Sequence, residues 1–116
     1  MSADECLIVL STIDDAAQAR RVADRVIEAG LAACVNILPG VTSVFRWEPE
    51  NSDPAQAGVQ AEGEVMLVMK STAAAYPQLE ALIRREHTYE LPEVIAVSLS
   101  HGLPDFLQWI RASTSS

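Results

Sequence analysis

Four short apolar runs, separated by two segments with helical periodicity, limit how this chain can fold. The runs lie at residues 6–10, 32–38, 65–69 and 94–99, and each has the length of a strand. The intervening segments repeat apolar residues every three or four positions, which is typical of a helix with one buried face. The repeating residues are Ala19, Val22, Ala23, Val26 and Ile27, and then Tyr76, Leu79, Leu82 and Ile83.

Local signals indicate where the helices begin and end. Thr12 and Asp15 resemble a capping box at the start of the first helix, and Gly30 stands where a glycine commonly ends one. Residues 71–72 are predicted to open the second helix. Because Pro77 is tolerated only in a first turn, its regular part should begin near Tyr76. A third, short helix is predicted from Pro104 onward.

The second strand is predicted to be long and kinked. Pro39 and Gly40 interrupt it, and a proline inside a strand implies an edge, a bulge or a turn. Alternation then resumes through Val41, Phe45 and Trp47. The next segment, residues 49–63, is acidic and carries prolines and glycines, so we predict a mobile loop. A solvated loop is favoured over a metal-binding one, because hard cations need ordered ligand spacing.

The order strand, helix, strand, strand, helix, strand, helix predicts the fold class. With right-handed crossovers it gives an α/β ferredoxin-like sandwich (βαββαβ) with a short C-terminal helix. All 116 residues fit one domain, residues 1–116. The helices cover one face of the sheet, and the chain offers little to cover the other. We therefore expect a partner, most simply another copy of the chain.

Composition excludes several classes of partner. A net charge of −8 disfavours nucleic acids and anionic lipid, both of which are bound through Lys and Arg. No apolar run approaches the roughly 20 residues of a membrane span. The chain has two cysteines outside any CxxC pair and no evident signal peptide. A cytoplasmic protein with reduced thiols is therefore expected.

The segment from His87 to Glu93, His-Thr-Tyr-Glu-Leu-Pro-Glu, is the strongest candidate site. It lies where a helical pattern gives way to a strand, and such a junction presents polar groups without burying them. Together with charged residues near Trp47, which include Glu48 and Glu64, it would form a polar cleft. An ion-pair network at an oligomer interface explains the pattern equally well. The predicted cleft residues are Arg46, Trp47, Glu62, Lys70, His87, Tyr89, Glu90 and Glu93.

Cys34, His87 and Glu90 are the candidate metal ligands. His87 and Glu90 stand three positions apart and would share a cation if the helix continues that far. The alternatives are that Cys34 is a small core residue and that His87 stabilises a helix C-terminus. The two scattered histidines do not support a Ser/His/Asp triad. We predict no catalytic residue and no enzyme, although a cleft around Trp47, Tyr89 and Glu90 leaves an enzymatic alternative.

Several motifs, in order along the chain, resemble the CutA family of divalent-cation tolerance proteins. They are Ala32-Ala33-Cys34-Val35-Asn36, Pro39-Gly40-Val41-Thr42-Ser43, Phe45-Arg46-Trp47-Glu48, Lys70-Ser71, the segment from His87 to Glu93, and Asp105-Phe106-Leu107-Gln108-Trp109-Ile110. The resemblance implies a ferredoxin-like subunit in a homotrimer, with long kinked strands pairing between subunits. It also implies clefts between subunits, lined by the regions of Trp47, Lys70 and His87 to Glu93.

The resemblance implies a role in divalent metal tolerance, with weak binding of copper or another divalent cation in the clefts. Some bacterial members bind copper through a cysteine that ends the first strand and a histidine pair. In this chain Ser11 and Glu86 replace two of those groups, and His87 matches the third. The trimer also resembles PII signalling proteins, so a regulatory module that binds a small molecule or a protein is the alternative function.

Overall fold

The computed structural model describes residues 4–47 and 58–114 of the 116-residue chain. Within those ranges the order of elements is the predicted one. The strands are β1 Cys6–Ile13, β2 Cys34–Trp47, β3 Gly58–Thr72 and β4 Ile95–Ser98, and the helices are α1 Ala16–Glu28, α2 Tyr76–Glu86 and α3 Pro104–Ser113. None of these helices is long and apolar enough to cross a lipid bilayer.

The strands form one antiparallel sheet in the order β2-β3-β1-β4. Strand β3 lies between β1 and β2, so α1 crosses over the sheet to connect them. Strand β1 lies in turn between β3 and β4, and α2 crosses over it. Two interleaved crossovers of this kind make the ferredoxin-like sandwich. The predicted fold class is therefore confirmed.

The core lies between the sheet and helices α1 and α2. Successive strand residues point to opposite faces, and every second residue of β1 and β3 points toward the helices. Ile27, predicted on the buried stripe of α1, is instead 42% exposed. Burying one large aliphatic side chain adds about 1.5–3 kcal/mol to the free energy of unfolding. The fully buried aliphatic side chains of this layer include Val9, Ile13, Val22, Val26, Leu67, Leu79 and Ile83.

A bulge kinks β2 without ending it, as predicted. Leu38 pairs with Met66 and Val41 with Glu64, so Pro39 and Gly40 together stand opposite a single residue of β3. Gly40 has φ of +79°, a conformation that favours glycine. The extra residue bends the strand while Leu38 and Val41 keep the same face. Beyond it, residues 41–47 and 58–64 form a two-stranded ribbon, which we call the arm.

Strand β1 is longer than predicted. Residues 11–13 continue the strand, and Thr12 pairs with Met66, so Thr12 does not cap the helix. The N-cap of α1 is Asp15, whose carboxylate accepts from the Ala17 amide at 2.9 Å. Threonine is a good strand residue, and pairing with β3 outweighs the local capping signal.

The prediction of a loop over residues 49–63 is wrong for its second part. Residues 58–63 belong to β3 and pair with β2, for example Glu62 with Ser43 and Gly63 with Thr42. Their composition is loop-like, but pairing with a distant strand holds them extended. Residues 49–57 lie outside the described residues. Residues 71–72, predicted to open the second helix, also belong to β3, and α2 begins at Tyr76 as expected.

The second face of the sheet is largely uncovered in the described chain, and we call it the open face. Helix α3 covers one end of it, where the Cys6 thiol donates to the Leu107 carbonyl at 3.6 Å and Ile110 is buried. Elsewhere on this face apolar side chains remain exposed. Leu38 is 42% exposed, Ile95 51% and Val97 52%.

Candidate functional site

The segment that follows α2 is attached to the end of β1 through His87. The ring nitrogen Nε2 lies 2.7 Å from the carbonyl oxygen of Thr12. The backbone amide of Tyr89 donates to the other ring nitrogen, Nδ1, at 2.9 Å. The Tyr89 ring packs against the imidazole, with centroids 4.6 Å apart. The junction predicted from sequence is thus an ordered turn built around one imidazole.

These two contacts define the protonation of the imidazole. A carbonyl oxygen can only accept, so Nε2 must carry the hydrogen that it donates to Thr12. An amide can only donate, so Nδ1 must be bare to accept from Tyr89. His87 is therefore the neutral Nε2–H tautomer, and both of its nitrogens are engaged.

The phenol of Tyr89 extends this cluster to the arm. Its hydroxyl donates to Oε2 of Glu64 at 2.8 Å. Burial raises the pKa of Tyr89 well above its ordinary value, and the hydrogen bond to Glu64 raises it further, as do the charges of Glu64, Asp14 and Glu62. The phenol consequently stays protonated and acts as a donor in a strongly acidic corner.

Lys70 and Cys34 form a second group, on the open face. The Lys70 ammonium donates to the Asn36 amide oxygen, and its Nζ lies 3.9 Å from the Cys34 sulfur. Thr12 pairs with Met66, whereas Ile8 pairs with Lys70. Four residues of strand, about 13 Å, therefore separate this group from the end of β1 to which His87 is bound.

Glu90 belongs to a third group, on the outer side of α2. It lines a shallow pocket of about 210 Å³. The Tyr76 hydroxyl donates to the neighbouring Glu80 at 2.9 Å, and burial raises the pKa of Tyr76, with a further contribution from Glu80. The pocket is lined by Glu80, Arg84, Glu90, Leu91, Pro92 and Val94.

The remaining predicted cleft residues are dispersed. Arg46 and Trp47 pair with Val59 and Gly58 at the outer end of the arm. Glu93 is exposed and stands in the sequence between two pocket residues, Pro92 and Val94. Glu62 lies on the arm, and its charge acts on Tyr89. A single chain thus brings His87, Tyr89 and Glu62 into one region. It leaves Lys70, Glu90 and the arm tip elsewhere.

The predicted metal ligands do not converge within one chain. Cys34 neighbours Lys70, Glu90 lines the outer pocket, and His87 has no free nitrogen. Across residues 4–47 and 58–114, no three His, Cys, Asp or Glu side chains lie close enough to hold a metal ion. The residues of one subunit therefore do not fit a metal centre of the predicted composition.

Sequence analysis missed two groups of the site, the Thr12 carbonyl and the Asn36 side chain. The Thr12 carbonyl is a backbone group and leaves no residue signal. Glu64 is one of the charged residues near Trp47 from which the polar cleft was predicted, and strand pairing with Val41 holds it beside Tyr89. Asn36 could have been found from alternation, since residues 34 and 36 of one strand share a face.

Comparison with known proteins agrees with this fold. A family model described as "CutA1 divalent ion tolerance protein" matches residues 7–113. The chain belongs to the CutA1 family. The resemblance inferred from the motifs is thereby confirmed, and so is the general association with divalent-cation tolerance.

Individual CutA1 proteins match over almost their whole length. The divalent-cation tolerance protein CutA of Thermus thermophilus is 36% identical over 107 residues, covering 92% of this chain and 96% of the relative. The solved CutA1 structure from the same organism has a TM-score of 0.85 at 35% identity, covering 95% of this chain and 99% of that one. CutA1 from Oryza sativa has a TM-score of 0.86 at 32% identity, covering 96% and 94%.

Proposed function

We propose that this CutA1-family protein acts in divalent-cation tolerance as a homotrimer that binds cations weakly in clefts between its subunits. One observation carries the proposal. The predicted cleft residues lie around a sheet face and two strand edges that the described part of one chain leaves uncovered. Family membership supports the cation role, and an exposed apolar face supports self-association.

The two outer strands favour a ring over a two-fold dimer. Strand β2 spans 14 residues and β4 spans 4, and each has one edge without a strand partner in residues 4–47 and 58–114. Proteins usually protect such edges with charge or cover them, yet β4 (Ile-Ala-Val-Ser) has no charge. Two unlike edges pair head to tail, and a head-to-tail contact that closes produces a ring.

A ring would also reunite the dispersed cleft residues. The chain is 52 Å long and about 25 Å in its other directions, with extents of 27 and 24 Å, and the arm continues beyond the strands of the body. An arm of that shape can reach the neighbouring subunit. Arg46 and Trp47 of one copy would then approach Lys70 or Glu90 of the next, as the family resemblance implies.

The donor set favours a hard divalent cation over copper. Glu62, Glu64, Glu90 and Glu93 supply carboxylate oxygens, which suit Mg²⁺, Mn²⁺ or Ca²⁺, whereas copper prefers sulfur and imidazole nitrogen. The Cys34 sulfur lies 3.9 Å from the Lys70 ammonium, and that positive charge opposes a cation there. Copper binding stays a prediction, which titration with Cu²⁺ decides.

Light scattering after size exclusion tests the assembly. We expect a mass three times the 12.5 kDa of one chain at micromolar concentration. A well-folded species of 12.5 kDa at that concentration would refute the trimer and, with it, the shared clefts.

Calorimetric titration tests the cation role. Mn²⁺, Zn²⁺ and Cu²⁺ are titrated into the wild type, into Glu64→Gln and into Glu28→Gln, a control on the exposed surface of α1. We expect weak Mn²⁺ binding that Glu64→Gln reduces by about tenfold, a loss of about 1.4 kcal/mol, while Glu28→Gln leaves it unchanged. Negligible heat with every cation would remove the cation-binding part of the proposal.

A second candidate is a PII-like regulatory module that binds a small molecule. The pocket beside α2 favours it, because Arg84 lines this pocket together with Glu80 and Glu90 and such a mixed set of charges suits a zwitterion. A ligand-induced shift of the melting temperature in an amino-acid and nucleotide screen, lost in Arg84→Ala, would support this function over the first.

We also propose a non-catalytic role in the cytoplasm. The family description names ion tolerance and no reaction, and two free thiols, Cys6 and Cys34, suit a reducing compartment. Cell fractionation checks the location. Recovery of the protein outside the cytoplasm would contradict it.

A further inference from the structure

We infer that His87 is a positioning residue that orients Tyr89 and Glu64, and that it is not a metal ligand. The inference rests on the proposed cation clefts and deepens that proposal, because it states how the imidazole would affect them. Its basis is the complete hydrogen bonding of the ring, together with the chain of contacts that runs from the ring to a carboxylate.

Both ring nitrogens of His87 are engaged by the backbone. A neutral imidazole binds a metal through the lone pair of its unprotonated nitrogen. In His87 that nitrogen is Nδ1, and the Tyr89 amide already donates to it at 2.9 Å. The other nitrogen, Nε2, directs its hydrogen to the Thr12 carbonyl at 2.7 Å. Coordination at either nitrogen would therefore break a backbone contact that holds the turn.

A chain of contacts connects the His87 ring to Glu64 through Tyr89. The imidazole fixes the Tyr89 amide and packs against its ring at a centroid distance of 4.6 Å. The phenol is thereby placed to donate to Oε2 of Glu64 at 2.8 Å. This hydrogen bond occupies Oε2 of Glu64, and a cation in the proposed cleft would bind the other oxygen, Oε1. His87 thus acts on the cation site through Tyr89.

The surroundings of Tyr89 are negatively charged. Asp14 and Glu62 act on the phenol together with Glu64, so this corner gathers three carboxylates. A neutral histidine adds no positive charge to it. If His87 were cationic, Nδ1 would carry a hydrogen and could no longer accept from the Tyr89 amide.

Two substitutions separate positioning from coordination. A glutamine amide both donates and accepts, so His87→Gln can retain the contacts with Thr12 and Tyr89, while His87→Ala loses both. We expect His87→Gln to keep the wild-type Mn²⁺ affinity within about threefold and His87→Ala to lose about tenfold. An equal loss in both variants would overturn the inference, as would imidazole ¹⁵N resonances that move to those of a metal-bound nitrogen when diamagnetic Zn²⁺ is added.

A second measurement needs no metal. Tyr76→Phe leaves Tyr89 as the sole tyrosine, since the chain has two, and its phenol is then titrated by ultraviolet absorbance. We expect titration above the ordinary value of about 10 in this background and with His87→Gln added, and a return toward it with His87→Ala. The imidazole ¹⁵N spectrum should show a bare Nδ1 and a protonated Nε2.

The two measurements keep the inference and the proposed function distinguishable. If no cation binds the wild type, the proposed function fails, and the Tyr89 titration still decides the role of His87. An unchanged Tyr89 titration in His87→Ala, or a protonated Nδ1 at neutral pH, would refute positioning whatever the metal titrations show.

Discussion

The two faces of the sheet carry similar residues, but these residues are buried on one face and exposed on the other. On the face under α1 and α2, Val9 and Met69 are fully buried. On the open face, Ile95 and Val97 remain 51% and 52% exposed. Successive side chains of each strand point to opposite faces, and the residues on both faces are largely aliphatic. Only one face finds its covering within the described part of the chain.

This difference distinguishes the apolar area that one chain buries from the apolar area that the proposed assembly would bury. The covered face provides the hydrophobic burial that lets a subunit fold. The open face holds further apolar area that the described residues leave exposed, and in our proposal another copy of the chain buries it. The candidate site residues follow the same division: His87 and Tyr89 are ordered within one chain, whereas Lys70 and Arg46 lie apart from them.

The largest effect is expected on the covered face. Leu79 is fully buried in α2, and Leu79→Ala should lower the free energy of unfolding by about 2–5 kcal/mol, since it removes buried methyl groups and leaves a cavity. Urea denaturation measures the change. The control is Ile27→Ala on α1, 42% exposed, for which about 1 kcal/mol is expected. Equal losses at both sites would contradict the buried position of Leu79.

A charge on the open face should instead act on the assembly. Val97→Glu places a carboxylate where we propose subunit contact, and burying an unpaired charge is strongly unfavourable. The expected result is a mass near the 12.5 kDa of one chain by light scattering, with helix content retained in circular dichroism. Ser98→Glu, which points to the other side of β4, is the control. An unchanged mass for Val97→Glu would place the interface elsewhere.

Two buried serines allow a finer test within the covered face. The Ser71 hydroxyl donates to the Leu31 carbonyl at 2.6 Å, whereas the Ser11 hydroxyl has no hydrogen-bond partner among the described residues. Ser71→Ala should lower the free energy of unfolding by about 1–3 kcal/mol, because the buried Leu31 carbonyl loses this hydrogen bond. Ser11→Ala should be neutral or stabilise by about 1 kcal/mol. Thermal denaturation of both variants checks the signs, and a loss at Ser11 would imply a partner for it.

The smallest effect is expected on the outer surface of the helix layer. Arg20 and Asp24 form a 2.9 Å ion pair whose side chains are 73% and 50% exposed. Solvent screens such pairs, so Asp24→Ala should leave the urea midpoint within experimental error, at low and at high salt. A clear salt-dependent loss would show that this surface contributes more than its exposure suggests.

Much of the fold could be predicted because its signals are local. The buried stripe of α1 is recognised from residues only a few positions apart, such as Val22 and Val26. The glycine that follows α1, Gly30, and the strand interruption at Pro39 are equally local signals. Their order along the chain then defined the topology. The end of β1 and the start of β3 could not be found this way, because pairing between Thr12 and Met66 and between Glu62 and Ser43 joins distant segments.

The site was harder to predict for a related reason. The segment from His87 to Glu93 was recognised from its residue types and its place at an element junction. The role of His87 depends on a backbone carbonyl and a backbone amide, which every residue has and no sequence pattern marks. The type of side chain suggested a ligand. Only the positions of Thr12 and Tyr89 show that both nitrogens are engaged.

Because of the bulge at Pro39 and Gly40, the direction of the arm does not depend on which of its side chains share a face. Pairing with β3 determines which side chains share a face, and the inserted residue determines the direction in which the ribbon leaves the body. A chain shortened by one residue here would keep its facing pattern and lose its bend. In the homotrimer that we propose, the backbone angle at this bulge would set how the arm meets the next copy, independently of the side chains that the arm presents.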